Sequence, residues 1–480
     1  MRFRAIALIS CLGAASGCGS STAPHTTPPA AGLVLSAGNQ QTDTVGDVLP
    51  QPLEVQVNAP TNQQASGQVV QFISIEDSAA ATYEAYVESP LGSAMRPFLA
   101  ETLDASGRAS AIVGMGGRTG SVRLIVKVPA FGYVDTARFT ATPGNAVAIV
   151  TSPNDTAVVA GASVTLVAKA VDRGGNPRAD AVRISVTSGP GTMAGNTLTT
   201  TAIGRVVLVA SGAMLVDTAY VSSVPQGVLA ASTGLGIATF NTDGSNYAVL
   251  HLGQIVGHMK WAPSGTSLAF DQDVTGCDGT SFTIQTTDLS GHVTVVDQRS
   301  TYDMYPSYSR DGTWIYFSPN AGYAGNLWRV HPDGTGDDSL GTMNPGFDLF
   351  PTVSPGGTQV AYSDIGSGQG DLRIMTVSTG AVTDLAINGW SPEWSPVSNE
   401  IAYISGYACA GPLAIANSDG TGVRLLTTAD YQSSFDWSPD GQWLIAANAK
   451  TGKVDLINAT TGATLPLGFT SGLISPSWMP

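Results

Sequence analysis

The side chains with the widest chemical range in this chain are five histidines, His25, His251, His258, His292 and His331, since imidazole serves as general base and metal ligand near neutral pH. Only His251 and His258 stand close together, and seven residues is not a spacing that puts two ligands on one face. Gly-x-Ser-x-Gly, His-Glu-x-x-His, Cys-x-x-Cys and phosphate-loop motifs are absent from the sequence. Asp333, Asp337, Asp338 and Asp419 are hard oxygen donors of the calcium-binding type, but they stand at tight-turn positions and are read as turn residues. The expectation is a chain with no catalytic residue, no metal and no cofactor. Binding chemistry has better candidates. Tyr302, Phe347 and Tyr431 each stand six residues before a recurrent apolar or aromatic position, Asp303 and Asp348 follow the first two, and Trp390 lies four before its own. Aromatic and acidic side chains at corresponding places of a repeat suit recognition of a peptide or small ligand. The alternative is that they pack neighbouring repeats together.

The elements that must position these residues show themselves as a repeat. An aromatic or apolar anchor followed by Ser/Ala-Pro-x-Gly or a close variant recurs at Trp261, Tyr308, Val353, Trp394 and Trp437, and Trp478-Met479-Pro480 ends the chain. The spacings are 47, 45, 41, 43 and 41 residues, the period of a four-stranded propeller blade. After each Pro-x-Gly turn comes an apolar strand such as Trp314-Ile315-Tyr316-Phe317 or Gln359-Val360-Ala361-Tyr362, then a third strand, then a hairpin such as Ser418-Asp419-Gly420. Trp478 has no strands after it, but Val228-Leu229-Ala230-Ala231, Ile237-Ala238-Thr239-Phe240 and Tyr247-Ala248-Val249-Leu250 open the region without an anchor before them. The reading is a six-bladed β-propeller over residues 225–480, closed by strands from its two ends so that no sheet edge is exposed. Trp261, Trp394, Trp437 and Trp478 then belong to its core. The Trp-Ser-Pro-Asp-Gly signature at Trp437 to Gly441 resembles the propeller of the TolB family. TolB itself carries an amino-terminal α/β domain, whose place is taken here by a different kind of module.

Residues 32–142 and 143–224 alternate short apolar runs with turn residues, as in Leu53-Glu54-Val55-Gln56-Val57 and Ser121-Val122-Arg123-Leu124-Ile125-Val126, and later Arg183-Ile184-Ser185-Val186 and Val206-Val207-Leu208-Val209. Period-two alternation between turns reads as two β-sandwiches. Thr102-Leu103-Asp104-Ala105-Ser106-Gly107-Arg108-Ala109 and Val171-Asp172-Arg173-Gly174-Gly175-Asn176-Pro177 resemble the Ig-like modules of invasin- and intimin-type surface proteins, which implies spacer or adhesive units. The fold class expected for the whole chain is therefore all-β.

Arg2 and Arg4, the apolar stretch Ala5 to Leu12 and the small residues after it have the three regions of an export signal. Ala15-Ser16-Gly17-Cys18, at the end of the signal region 1–18, resembles a bacterial lipobox, which implies cleavage before Cys18 and lipidation of its thiol; an ordinary signal cut elsewhere is the alternative. Residues 19–31 read as a polar, Pro-containing tether. Outside the cytoplasm Cys277 and Cys409 could pair or remain two loop thiols. With 21 Lys and Arg against 36 Asp and Glu the chain carries −15, which disfavours nucleic acid as a partner. The resulting expectation is a non-enzymatic, lipid-anchored protein of the periplasm, outer membrane or cell surface that binds a protein or polysaccharide through its propeller. A carbohydrate-active lyase or hydrolase is the alternative, and it would gather two or more titratable groups in the channel.

Overall fold

The computed structural model describes residues 30–77, 82–233, 236–253, 255–273, 282–297, 303–319, 327–341, 348–366, 370–406, 410–470 and 474–480. It is all-β: the one helical element among the described residues is a 3-10 turn at Pro129–Phe131. No helix among them is long and apolar enough to cross a membrane. The chain divides into two compact units, residues 1–145 with 171–177, and residues 146–170 with 178–480.

In the first unit a four-stranded sheet, ordered Gly32–Ala37, Leu53–Asn58, Arg108–Met115, Ala85–Glu88, shares one core with a five-stranded sheet built around Gly120–Val128. The alternation seen in the sequence decides which faces meet. Leu53, Val55 and Val57 are buried from one sheet and Val122, Leu124 and Val126 from the other, while the residues between them point outward. The loop 171–177 belongs to this unit because Asp172 and Asn176 satisfy its backbone: Gly144 N donates to Asp172 Oδ2 at 2.9 Å and Asn176 Nδ2 to the Gly117 carbonyl at 2.8 Å.

The second unit opens with a smaller module of three sheets, of four, three and two strands, its core formed by Leu166, Leu198, Val206, Leu208, Ala219 and Val221. Ala157 and Val224 of this module lie in the same apolar cluster as Leu229, Trp443, Leu456, Leu465 and Trp478 of the repeat region. Asp155 reinforces the contact by accepting Lys453 Nζ at 2.7 Å, with Arg205 at 3.6 Å.

The repeat region is a β-propeller of antiparallel four-strand groups. Its innermost strands are β1 (Val256–Trp261), β2 (Asp303–Tyr308), β3 (Asp348–Val353), β4 (Val382–Trp394), β5 (Arg424–Trp437) and β6 (Ile474–Trp478). β4 and β5 are long because each also serves as the outer strand of the preceding group, which joins ten strands in one continuous ladder. β6, at the chain end, pairs with Val228–Ser232 from the start of the region, Leu229 opposite Trp478.

Candidate functional site

Each innermost strand ends on an anchor, and the anchors Trp261, Trp394, Trp437 and Trp478 are 4–5% exposed, so they pack between strand groups. The residue before each anchor occupies a common place around a central cavity: Lys260, Ser307, Thr352, Glu393, Asp436 and Ser477. The first five line a cavity of about 120 Å³ together with the anchors, and its rim carries the residues two beyond each anchor: Pro263, Arg310, Pro355, Pro396, Pro439 and Pro480.

A bulge turns this position inward. The pairing register shifts between Met304 and Ser307, Leu349 and Thr352, and Trp390 and Glu393, each time three residues before the anchor. Tyr305, Phe350, Ser391 and Ser475 take φ of 60, 56, 52 and 52°, and each is followed by a proline, Pro306, Pro351, Pro392 or Pro476. Proline donates no ladder hydrogen bond, so it costs least where the ladder is already interrupted. The x-Pro-x-anchor pattern is present in the sequence at those four places, and it is the signal by which the cavity-facing residues could have been found.

At the centre Lys260 Nζ lies 2.8 Å from Glu393 Oε1 and 2.9 Å from Asp436 Oδ1. Asp436 is held further: its Oδ2 accepts Ser477 Oγ at 2.8 Å and the Trp478 backbone N–H at 3.0 Å. Beyond Lys260, Glu393 has among the described residues Thr352 Oγ1, at 3.5 Å from its second oxygen. Burial works against the charge on Lys260, but Asp436 and Glu393 outweigh it and hold the ammonium up at about 12. Burial pushes the Glu393 carboxyl up to about 7 despite the pull of Lys260, and Asp436 adds to the rise.

Below this tier lies a second cavity of about 30 Å³, which Lys260 and Glu393 also line. One side of it is aromatic: ring centroids are 4.5 Å apart for His258 and Tyr305, 3.8 Å for Tyr305 and Phe350, and 5.2 Å for Phe350 and Trp390. The other side is hydroxylic, with Ser391 Oγ donating to the Ser433 carbonyl and Ser475 Oγ 3.1 Å from Ser434 Oγ. Asp271, fully buried, accepts the backbone N–H groups of His258 and Tyr305, each at 2.9 Å, and its Oδ2 lies 3.3 Å from His258 Nδ1. A carboxylate thus serves the bulged backbone of two neighbouring strands.

Of the residues singled out in the sequence, Asp303 and Asp348 are the first residues of β2 and β3 and are 1% and 2% exposed. Tyr431 is 1% exposed, with its hydroxyl 3.1 Å from Asp455 Oδ2, and burial followed by Asp455 pushes its phenol up to about 12. Trp390 is buried and packs edge-on against Phe350, which lines the smaller cavity. Tyr302, Phe347, Cys18, Cys277, Cys409 and His25 lie outside the described residues. His251 and His292 are exposed, and His331 stacks on Trp314 at 3.8 Å. Asp333 and Asp419 each accept the backbone N–H and the hydroxyl of the threonine two residues on, and Asp338 pairs with Arg329 at 2.7 Å. No group of three His, Cys, Asp or Glu able to hold a metal occurs among the described residues.

This is a β-propeller with a polar, charge-paired centre. No family model matches the chain. Over 161 residues it is 30% identical to an uncharacterized protein of Agrobacterium fabrum, covering 30% of this chain and 53% of that one. Over 118 residues it is 33% identical to a protein TolB homolog of Chlorobaculum tepidum, covering 24% and 27%. The chain therefore spans about half the length of the first relative and about a quarter of the second. Among solved structures it is similar to TolB from Acinetobacter baumannii, with a TM-score of 0.45 and 16% identity over 62% of this chain and 83% of that one.

Proposed function

We propose that this chain is an exported, envelope-associated protein that binds a protein partner at the mouth of its propeller and catalyses no reaction. In this reading residues 225–480 form a six-bladed ring closed by the Val228–Ser232 and Ile474–Trp478 pairing, Cys18 carries a lipid, and the two upstream modules are Ig-like spacers. The observation that carries it is the central cavity itself, to which each of the six innermost strands contributes its anchor and five of them also the residue before it. The local likeness to a TolB homolog supports a protein as the partner and the envelope as its place. Residues 225–480 hold 22 of the 36 acids and 8 of the 21 cations, so the contact surface favours a basic partner.

The binding edge in this proposal is the mouth reached from the starts of β2 and β3, with Tyr302, Phe347 and Trp390 as contacts and with Asp303, Asp348 and Tyr431 shaping the inner strands. Photo-reactive residues placed at 302 and 347, and at 310 on the opposite rim as a control, test it in intact cells. Enrichment of one envelope protein at 302 and 347 but not at 310 supports the reading. Labelling at 310 alone would move the site to the proline rim, and no protein product from any position would overturn protein binding in favour of a polysaccharide.

One observation bears on the enzymatic alternative: Lys260, Glu393 and Asp436 do gather three titratable groups in the channel. Their charges are spent on one another, which supports a structural tie over an acid–base pair. Polysaccharide lyase or hydrolase activity that disappears in Asp436→Asn would reverse this preference.

A further inference from the structure

We propose that Lys260, Glu393 and Asp436 form a proton-operated gate at the waist of the central cavity: with Glu393 ionised, the Lys260 ammonium ties β1 to both β4 and β5 across the lumen, and proton uptake by Glu393 releases the tie to β4 and joins the two cavities. The inference concerns the free protein and stands apart from the identity of any partner.

Three features of the geometry carry it. First, Lys260 and Glu393 line both the larger and the smaller cavity, so the contact between them is the partition. Second, the other members of the tier, Ser307, Thr352 and Ser477, are short and uncharged, so no second ion pair crosses the lumen there. Third, the two carboxylates are unequally anchored. Asp436 keeps Ser477 Oγ and the backbone N–H groups of Trp437 and Trp478 whatever Lys260 does, whereas Glu393 has Thr352 at the limit of hydrogen-bond distance. On proton uptake the ammonium stays balanced by Asp436, and Glu393 is the arm that lets go. The charged and titratable groups facing Glu393 are Lys260 from β1 and Asp436 from β5, with His258 of β1 lining the smaller cavity and Tyr308 and Arg310, from β2 and the turn after it, lining the larger. The rise of Glu393 to about 7 puts the release near neutrality, while Lys260, at about 12, keeps its charge throughout.

Acrylamide quenching of tryptophan fluorescence in the full chain reads the gate, because Trp261, Trp394, Trp437 and Trp478 all line the larger cavity. Measured about 1.5 pH units either side of the Glu393 titration, the quenching constant should be higher on the acid side. Glu393→Gln should show the high value at both, and Lys260→Arg, which keeps the cation, should retain the pH response. Far-UV circular dichroism of each variant separates gating from unfolding. A quenching constant that does not change with pH in the unaltered protein, or a response that survives in folded Glu393→Gln, would overturn the proposal. Neither result bears on whether a partner binds, so failure of the gate and failure of the binding reading are distinguishable.

Discussion

Glu393 is where burial and charge oppose each other most directly, and the balance fixes a pH dependence of stability. Its folded-state pKa of about 7 lies above its ordinary 4.5, so the native state holds the proton more tightly than the unfolded chain does. The stability this contributes is fully present below about 4.5 and is lost as pH rises through about 7. At about 1.4 kcal/mol per unit it amounts to on the order of 3 kcal/mol. Urea unfolding across that window should show the decline in the unaltered protein and a flattened profile in Glu393→Gln. Tyr431 makes a different residue-scale prediction. Its buried hydroxyl shares a hydrogen bond with Asp455, so Tyr431→Phe should cost about 1–3 kcal/mol by leaving that carboxylate short of a donor, which chemical denaturation would detect. Asp303 and Asp348 belong with it: at 1% and 2% exposure their replacement by Ala should lower the melting temperature, whereas Tyr302→Ala with Phe347→Ala should be judged on binding.

At the scale of the element, the strand spacing and the hairpin turns follow from local residue chemistry, and the bulges follow from it only in part. Asp419 in its turn accepts two hydrogen bonds from Thr421, and Gly420 follows with φ of 82°, a conformation that costs glycine little. Gly462, at φ 71°, is under a stricter demand, because a Cβ there would come within 2.1 Å of the Leu426 carbonyl oxygen, which is backbone and cannot give way. Gly462→Ala should therefore destabilise by at least about 1–3 kcal/mol, beyond the cost of the turn conformation alone, as read by thermal unfolding. The bulge three residues before each anchor is marked by proline in four strands but not in β1 or β5, where Met259 and Phe435 stand instead. An eye on the anchors alone passes over it, and so passes over the tier of residues that faces the cavity.

At the scale of the molecule, the second upstream module and the propeller share an apolar cluster through Ala157 and Val224, and Gly468 marks how closely their backbones approach. A Cβ on Gly468 would meet the Asp155 carbonyl at 2.1 Å. Gly468→Ala should weaken this contact along with the Asp155 to Lys453 ion pair, and limited proteolysis should then cut near residue 225 faster than in the unaltered chain. The all-β class, the period of the repeat, the anchors and the strand order within each group were legible from the sequence, because alternation, turn residues and repetition are local or periodic signals. An anchor lacking strands at one end and strands lacking an anchor at the other led to the expectation that the two ends pair, and Val228–Ser232 does pair with Ile474–Trp478, in a register that the sequence did not specify. The choice of Tyr302, Asp303, Phe347 and Asp348 rested on spacing, which identifies equivalent positions but not the direction in which a side chain points. Lys260, Glu393 and Asp436 lie 133 and 43 residues apart along the chain and share only their place one residue before a Trp-Ser/Ala-Pro anchor, a place that does not itself call for a charge. Only the closing of the strands around one axis brings a cation between two acids, and only the loss of water there moves their protonation, so the central chemistry of this protein was decided by tertiary structure.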